Sequence, residues 1–146
     1  AYELALEFSM ERKQFGRPIC EFQGLQWMLA DMHIQIEAAR LLLRKAAAGD
    51  SESSGENENG FPDMLEAAQA KIFASEMAIK VTNDALQIFG SSGYSRNFPL
   101  ERMARDARMF TIGGGTAQIL RTVVASALLE RKLPQTRDGY SKQGKH

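Results

Sequence analysis

Apolar residues recur at intervals of three and four along two long stretches of the chain, the spacing that places side chains on one face of an α-helix. The first stretch runs from about Phe22 to about Ala48, and the second from Pro62-Asp63 to Phe89. Trp27 and Leu29 widen the first stripe, so this helix is predicted to touch more than one neighbour. The predicted core-facing positions are Leu25, Met28, Met32, Ile36, Ala39 and Leu43 in the first helix, and Leu65, Ala68, Ile72, Ser75, Ile79, Thr82, Leu86 and Phe89 in the second.

Glycine and proline divide the rest of the chain into shorter helices, because both residues interrupt helical hydrogen bonding. The remaining predicted elements are a first helix ended by Gly16-Arg17-Pro18, a glycine stop at Gly90-Ser91-Ser92-Gly93, a short helix from about Leu100 to Met109, and a last helix from Gly115 or Thr116 to about Leu133. No segment predicts a convincing strand. The expected fold is therefore all-α: an antiparallel four-helix bundle with one extra short helix.

The expected domain covers residues 1–134, and residues 135–146 form a polar tail. Residues 49–60 contain only Gly, Asp, Ser, Glu and Asn, which predicts a solvated loop between the two long helices. No capping residue precedes Ala1, although the helical pattern has already begun there. We therefore expect this chain to be a piece of a longer polypeptide.

The composition excludes several classes of function. The chain has 146 residues, of which eighteen are basic and eighteen acidic. This balance gives no electrostatic case for binding nucleic acid or an anionic membrane. No uncharged apolar run approaches the roughly 18 residues that span a bilayer. We expect no nucleic-acid partner and no membrane span.

Cysteine and histidine are too scarce for a metal centre or a histidine-based triad. The single cysteine, Cys20, excludes an internal disulfide and is expected to be a small, half-buried filler. Only His33 and His146 are present, and no metal site is predicted. One unpaired cysteine favours a reducing compartment, such as the cytoplasm or the mitochondrial matrix.

Three predicted helix ends each combine a glycine with a polar side chain. At the last helix, Gly113-Gly114-Gly115 precedes Thr116, which is placed to cap the helix, and Gln118 follows in its first turn. We call residues 113–116 the glycine corner. Arg12 lies near the end of the first helix, where its guanidinium suits a phosphate. Gln87 and Gly90 lie at the end of the second long helix.

These segments, in this order, resemble the C-terminal helical domain of the acyl-CoA dehydrogenase family over Ala1 to about Leu133. The residues that carry the resemblance are Glu11-Arg12-x-x-Phe15-Gly16 with Phe22-Gln23, Gln87-Ile88-Phe89-Gly90-x-x-Gly93, Arg105-Asp106-Ala107, and Gly115-Thr116-x-Gln118-Ile119. The resemblance implies a FAD-dependent oxidoreductase that converts an acyl-CoA to its 2,3-enoyl form in fatty acid or amino acid degradation. It also implies a homo-oligomer, a dimer of dimers, and an electron-transfer flavoprotein or similar acceptor as partner.

The same resemblance implies roles for individual residues. Those matching FAD contacts of the family are Arg12, Gln23, Gln87, Gly90, Ser91, Thr116 and Gln118, and Gly115 matches a residue that borders the thioester end of the substrate. Most of the FAD site would then lie in other domains. The piece alone is expected to be inactive and to purify without flavin.

One departure from the family pattern concerns the catalytic base. Many members read Tyr-Glu-Gly-Thr where this chain has Gly113 to Thr116, and that glutamate removes a proton from the carbon beside the thioester. Gly114 holds its place and cannot accept a proton. Other members supply a glutamate from the helix before the Glu-Arg segment, which would lie upstream of Ala1. No catalytic residue is therefore assigned within this chain.

The charged residues beside the glycine corner are expected to serve structure. Glu101 and Asp106 share a helix with three arginines, which favours charge-paired surface or interdomain roles over catalysis. Arg105 is a candidate to order the corner by binding its carbonyls. Three functions stay open: a dehydrogenase with its base elsewhere; a relative acting as an enoyl-CoA reductase or a non-catalytic binding protein; and a free-standing helical interaction module.

Overall fold

The computed structural model describes residues 1–48, 63–131 and 133. The loop predicted at residues 49–60 and the tail predicted at residues 135–146 lie outside them. The helices are α1 (Tyr2–Glu11), α2 (Gln23–Ala48), α3 (Met64–Phe89), α4 (Ser91–Tyr94), α5 (Leu100–Met109) and α6 (Ala117–Leu128), with a 3-10 turn at Ile19–Glu21. Within the described residues, no helix is both long and apolar enough to cross a membrane.

α3 is the central helix, and it contacts α1, α2, α4, α5 and α6. Its N-terminus begins at a capping aspartate, because the Asp63 carboxylate accepts hydrogen bonds from Leu65 N and Glu66 N at 2.8 and 3.1 Å. It ends at Gly90, whose φ of +59° suits glycine. The core cluster around it comprises Ala5, Ile19, Met32, Val81, Ala85, Ile88, Phe89 and Leu100. Buried residues thus lie on more than the one predicted face of α3.

Helix directions alternate along the chain. Lys45 near the end of α2 forms an ion pair with Glu66 near the start of α3, at 3.0 Å, so the two helices run antiparallel. α5 then returns along α3, and α6 runs parallel to α3, since Glu76 pairs with Arg121 at 2.7 Å and Lys71 contacts Gly115. This arrangement confirms the predicted helical bundle.

The predicted absence of strands is wrong at one point. α1 ends at Glu11, before the predicted break, and Lys13–Gln14 pairs antiparallel with Arg17–Pro18. Phe15 and Gly16 form the two-residue turn, with φ of +51° and +81°, the signs of a type I′ hairpin turn. Strands of two residues are too short to show an alternating pattern, so periodicity along the chain could not predict them.

Two further predicted details differ from the structure. Leu43 is 49% exposed, because the buried positions of α2 recur every seven residues at Met32, Ala39 and Ala46. α6 ends at Leu128, short of Leu133. Glu130 takes a φ of +51°, and Arg131 N donates to Ser126 O at 3.1 Å, which closes the helix in a Schellman motif formed without glycine.

Candidate functional site

The glycine corner connects α5 to α6 and is open at its centre. Gly114 and Gly115 have φ of +66° and +91°, conformations that glycine adopts at little cost. Both residues are exposed, and a Cβ added to Gly114 would meet nothing within 4 Å. The position where many family members would carry a glutamate therefore faces free space.

Thr116 caps α6, as the sequence predicted. Its hydroxyl accepts a hydrogen bond from Ile119 N at 3.2 Å. Ala117 N donates to Thr111 O at 3.0 Å. The N–H groups of Gly114 and Gly115 donate to no described residue, and Gln118 is exposed in the next turn. The corner thus presents unused backbone donors, a hydroxyl and an amide beside the positive end of a helix.

Lys71 contacts the glycine corner and Arg108 contacts the turn just before it, and the expectation that Arg105 orders the corner is wrong. The Lys71 ammonium donates to Gly115 O at 2.6 Å from α3. The Arg108 guanidinium donates to the Thr111 hydroxyl at 2.8 Å. Arg105 instead pairs with Glu101 at 3.3 Å, one turn back on its own helix, since i,i+4 side chains are neighbours.

The other carboxylate beside the corner, Asp106, forms no ion pair with any residue in the described ranges. The predicted charge-paired role is therefore confirmed for Glu101, and an interdomain role for Asp106 stays a prediction. Lys71 could not have been singled out from the sequence, because it lies 44 residues before Gly115 and many α3 residues are equally polar.

A second group of candidate residues surrounds the hairpin after α1. Arg12 is exposed at the end of α1, and its carbonyl accepts from Ile19 N at 2.8 Å. Its guanidinium has no ion-pair partner among residues 1–48, 63–131 and 133. Phe15, at the hairpin tip, is 92% exposed. An uncompensated cation and an exposed ring, three residues apart along the chain, suit an anionic, partly aromatic ligand.

The hairpin is held against the start of α2 by ring contacts. The Arg17 guanidinium lies over the Phe22 ring, 4.2 Å from its centroid. The edge of Phe15 meets the same ring at a centroid distance of 6.1 Å. Gln23, the next residue, is exposed at the first position of α2. Gln23 therefore shares this end of the molecule with Arg12.

Ring stacking also brings the end of α3 to the same place. Phe8, one turn before Arg12, stacks on Phe89 with ring centroids 4.0 Å apart. Gln87, Gly90 and Ser91 are exposed around Phe89. These residues join Arg12 and Gln23 in what we call the hairpin site.

The predicted site residues therefore fall into two groups at opposite ends of α3. Lys71, which contacts the glycine corner, lies eighteen residues before Phe89 on one continuous helix. At 1.5 Å per residue, that separation is roughly 27 Å along the helix axis. The structure brings Thr116, Gln118, Gly114 and Gly115 together, and the hairpin-site residues together, but not the two groups with each other.

The described residues contain no group of three or more His, Cys, Asp or Glu that could hold a metal ion. Cys20 is half-buried, as expected from the sequence. His33 is exposed, with its ring centroid 5.8 Å from that of Tyr2. The candidate chemistry thus lies with the glycine corner and the hairpin site.

Comparison with known proteins decides the family. The profile of the acyl-CoA dehydrogenase C-terminal domain matches residues 1–129. The chain belongs to the acyl-CoA dehydrogenase family. Its all-α bundle is the C-terminal domain of that family, which confirms the fold and the resemblance expected from the sequence.

Curated relatives of this acyl-CoA dehydrogenase domain include proteins with two kinds of name. The 3-sulfinopropanoyl-CoA desulfinase of Advenella mimigardefordensis is 66% identical over 97% of this chain and 33% of its own length. The probable acyl-CoA dehydrogenase YngJ of Bacillus subtilis is 45% identical over 89% of this chain and 32% of its own length. The chain thus spans about a third of the length of these relatives.

Solved structures of family members share the same fold. Butyryl-CoA dehydrogenase from Megasphaera elsdenii superposes with a TM-score of 0.79 at 44% identity, over 88% of this chain and 32% of that one. A structure described as the electron transferring flavoprotein of Acidaminococcus fermentans also gives 0.79, at 46% identity over 88% and 32%. The FAD complex of PigA gives 0.77 at 28% identity, over 87% and 31%.

Proposed function

We propose that the whole protein is an FAD-containing enzyme that removes the sulfinate group from 3-sulfinopropanoyl-CoA. Four relatives with the name 3-sulfinopropanoyl-CoA desulfinase are 65% to 68% identical to this chain, whereas four relatives named as probable acyl-CoA dehydrogenases are 45% to 46% identical. The observation that carries the proposal is Gly114, because it leaves the glycine corner without the carboxylate that many dehydrogenases of the family use there.

Desulfination requires no such base. The C3–S bond breaks, C3 keeps the electron pair and takes up a proton, and sulfur takes the oxygen of water and leaves as sulfite. Carbon is reduced by two electrons and sulfur is oxidised by two, so 3-sulfinopropanoyl-CoA and water give propanoyl-CoA and sulfite with no external acceptor. Dehydrogenation, in contrast, removes the C2 proton with a base and passes two electrons to an acceptor.

The residues of this chain fit FAD as the cofactor. The exposed Arg12 guanidinium has no described carboxylate to neutralise it, which suits a pyrophosphate. Gln23, Gln87, Gly90 and Ser91 offer polar groups around it, and Thr116 and Gln118 do so at the glycine corner. Bound FAD supplies a flavin ring that can accept and return two electrons. The hairpin site and the glycine corner are separated by roughly 27 Å along α3. They therefore contact either different parts of one FAD or the FAD molecules of two subunits.

A second copy of the chain is the proposed protein partner. α2 exposes Trp27, Ile34 and Leu41 at 63%, 60% and 64%, at a spacing of seven residues that places them on one face. The family resemblance favours a homo-oligomer, a dimer of dimers, and a second copy would cover these side chains. An electron-transfer flavoprotein belongs to the dehydrogenase alternative alone, because desulfination is redox-neutral.

The second candidate function is acyl-CoA dehydrogenation with a base from outside this chain. The relatives named as probable acyl-CoA dehydrogenases and the butyryl-CoA dehydrogenase structure favour it. The two functions differ in product and in the need for an acceptor, so one assay separates them.

The test incubates the full-length protein with 3-sulfinopropanoyl-CoA and, separately, with butanoyl-CoA. We expect sulfite and propanoyl-CoA in equal amounts without an acceptor, and no enoyl-CoA from butanoyl-CoA when an artificial acceptor is added. Enoyl-CoA formed only with the acceptor, and no sulfite, would establish the dehydrogenase instead.

Gly114→Glu tests the role of the empty position. A carboxylate there lies near an anionic sulfinate, so kcat/KM for 3-sulfinopropanoyl-CoA should fall about tenfold relative to Gly114→Ala. Gly114→Ala is the matched control, because it carries the same backbone penalty at φ +66° without the charge. Equal values in the two variants would argue against an anionic group beside Gly114.

A further inference from the structure

One hydrogen bond fixes the centre of the glycine corner. The backbone of Gly114 and Gly115 makes no hydrogen bond to the backbone of any described residue. Its one described partner is the Lys71 ammonium, which donates to Gly115 O at 2.6 Å. The nearest backbone bonds on either side are Gly113 N to Met109 O at 2.8 Å and Ala117 N to Thr111 O at 3.0 Å.

The conformation at this centre would otherwise be poorly determined. Two consecutive glycines in left-handed conformations have more freedom than any other pair of residues. Lys71 is half-buried on α3, the helix that contacts most of the other elements. A charge-assisted hydrogen bond from this helix therefore holds the glycine corner at a fixed position relative to α3.

We propose that Lys71 is a positioning residue for the thioester end of the substrate, acting by holding the Gly115 carbonyl. This inference rests on the proposed function, in which the acyl-CoA thioester lies against the glycine corner. Loss of the ammonium leaves the peptide between Gly115 and Thr116 free to rotate, and displaces the reacting part of the substrate. Reacting groups held even 1 Å from the productive position lose about a hundredfold in rate.

The test compares Lys71→Met, Lys71→Arg and Lys80→Met in the full-length protein. Methionine keeps an unbranched stem of similar length without the charge, and arginine keeps a cationic donor. Lys80 lies on the same helix but is exposed and donates to Asp84 at 2.6 Å, a contact that raises the pKa of Lys80. Lys80→Met therefore removes an α3 ammonium that does not contact the corner.

Three measurements are made on each variant: kcat and KM for 3-sulfinopropanoyl-CoA, the flavin absorbance spectrum, and hydrogen–deuterium exchange of peptides covering residues 109–120. We expect Lys71→Met to lower kcat by about tenfold to a hundredfold with KM changed less than about threefold. Exchange at Gly113 and Ala117 should rise. Lys71→Arg should recover at least half of the lost kcat on a logarithmic scale, and Lys80→Met should match the wild type.

A Lys71→Met kcat within twofold of the wild type, or equal losses in Lys71→Met and Lys80→Met, would overturn the proposal. So would a loss in Lys71→Met with unchanged exchange at the corner. A wild-type protein that releases no sulfite refutes the proposed desulfination, whereas the exchange comparison still decides whether Lys71 orders the corner. The two failures are therefore distinguishable.

Discussion

Arg12 carries a charged side chain that no carboxylate among the described residues neutralises. Its carbonyl completes the backbone contact to Ile19, while its guanidinium remains exposed without a described ion-pair partner. An exposed arginine needs no partner for stability, because surface ion pairs contribute little. Its position beside the hairpin and the end of α3 places the charge in the hairpin site, where we propose that it binds FAD. The rigid ring stack of Phe8 on Phe89 holds that position.

Arg12→Ala is expected to weaken FAD binding by the full-length protein about tenfold to a hundredfold, because a hydrogen bond to a charged group is lost. Titration of the flavin-depleted protein with FAD, followed by fluorescence, measures the change. Arg44→Ala is the control, since Arg44 is exposed near the end of α2, twenty-one residues and roughly 32 Å along the helix from Gln23 of the hairpin site. Equal FAD affinity in wild type and Arg12→Ala would remove Arg12 from the cofactor site.

At the residue scale, the sequence predicted what depends on local backbone chemistry. Thr116 could be identified as a cap because a hydroxyl before a helix satisfies a nearby N–H group. The contact of Lys71 with Gly115 O depends on how α3 packs against the corner, and no local rule contains that information. The φ of +51° at Phe15 could not be predicted either, because a bulky residue rarely adopts this conformation.

Among the elements, α3 depends on the short turn that follows it. Gly93 is buried in α4, and a Cβ there would lie 2.7 Å from Leu86 O and 2.8 Å from the Phe89 Cβ. Backbone and Cβ atoms cannot rotate away as a flexible side-chain end would. The second glycine of the Gly90-x-x-Gly93 segment is therefore required by close packing of α4 on the end of α3, whereas Gly90 serves the φ of the helix stop.

Gly93→Ala is expected to destabilise the domain by about 1 to 3 kcal/mol, the usual cost of overpacking a tight contact. Gly24→Ala is the matched control, because Gly24 is exposed in α2 with nothing within 4 Å of an added Cβ. Alanine at that helical position should be neutral or stabilise by up to about 1 kcal/mol. Thermal unfolding of the full-length variants measures both, and a Gly93→Ala midpoint at or above that of Gly24→Ala would contradict the packing argument.

Element bounds followed the sequence where periodicity was long and failed where it was short. Twenty-six residues of regular spacing determined α3 almost to the residue. The two-residue strands and the four-residue α4 offer too few positions for any period to emerge. α6 ended early because Glu130 adopts a left-handed conformation that glycine usually marks.

For the whole molecule, the sequence predicted which residues belong to candidate sites but not that they form two separate sites. The directions of the helices determine that the candidate residues form two separate sites. Because α1 and α3 run side by side in the same direction, their ends meet at the hairpin site. The return of α5 along α3 then carries the glycine corner to the far end of the bundle. These long-range positions depend on how the helices pack. The periodic pattern along the chain does not contain that information.

The exposed face of α2 gives a prediction for the proposed homo-oligomer. Trp27, Ile34 and Leu41 leave large apolar surface in solvent, although the bundle core beneath α2 is well packed. Burial of such side chains stabilises association by about 1.5 to 3 kcal/mol each. Ile34→Asp should therefore shift the full-length protein from an oligomer toward smaller species in sedimentation velocity, without loss of helical content.

Ala47→Asp is the control for charge and helix propensity. Ala47 is exposed on α2, and thirteen residues beyond Ile34 it lies on the opposite face of the helix. Its sedimentation coefficient should equal that of the wild type. If Ile34→Asp also sediments as the wild type, a second copy does not cover this face. If both variants dissociate, a charge anywhere on α2 is enough to disrupt the oligomer. The apolar face is then not the specific contact surface.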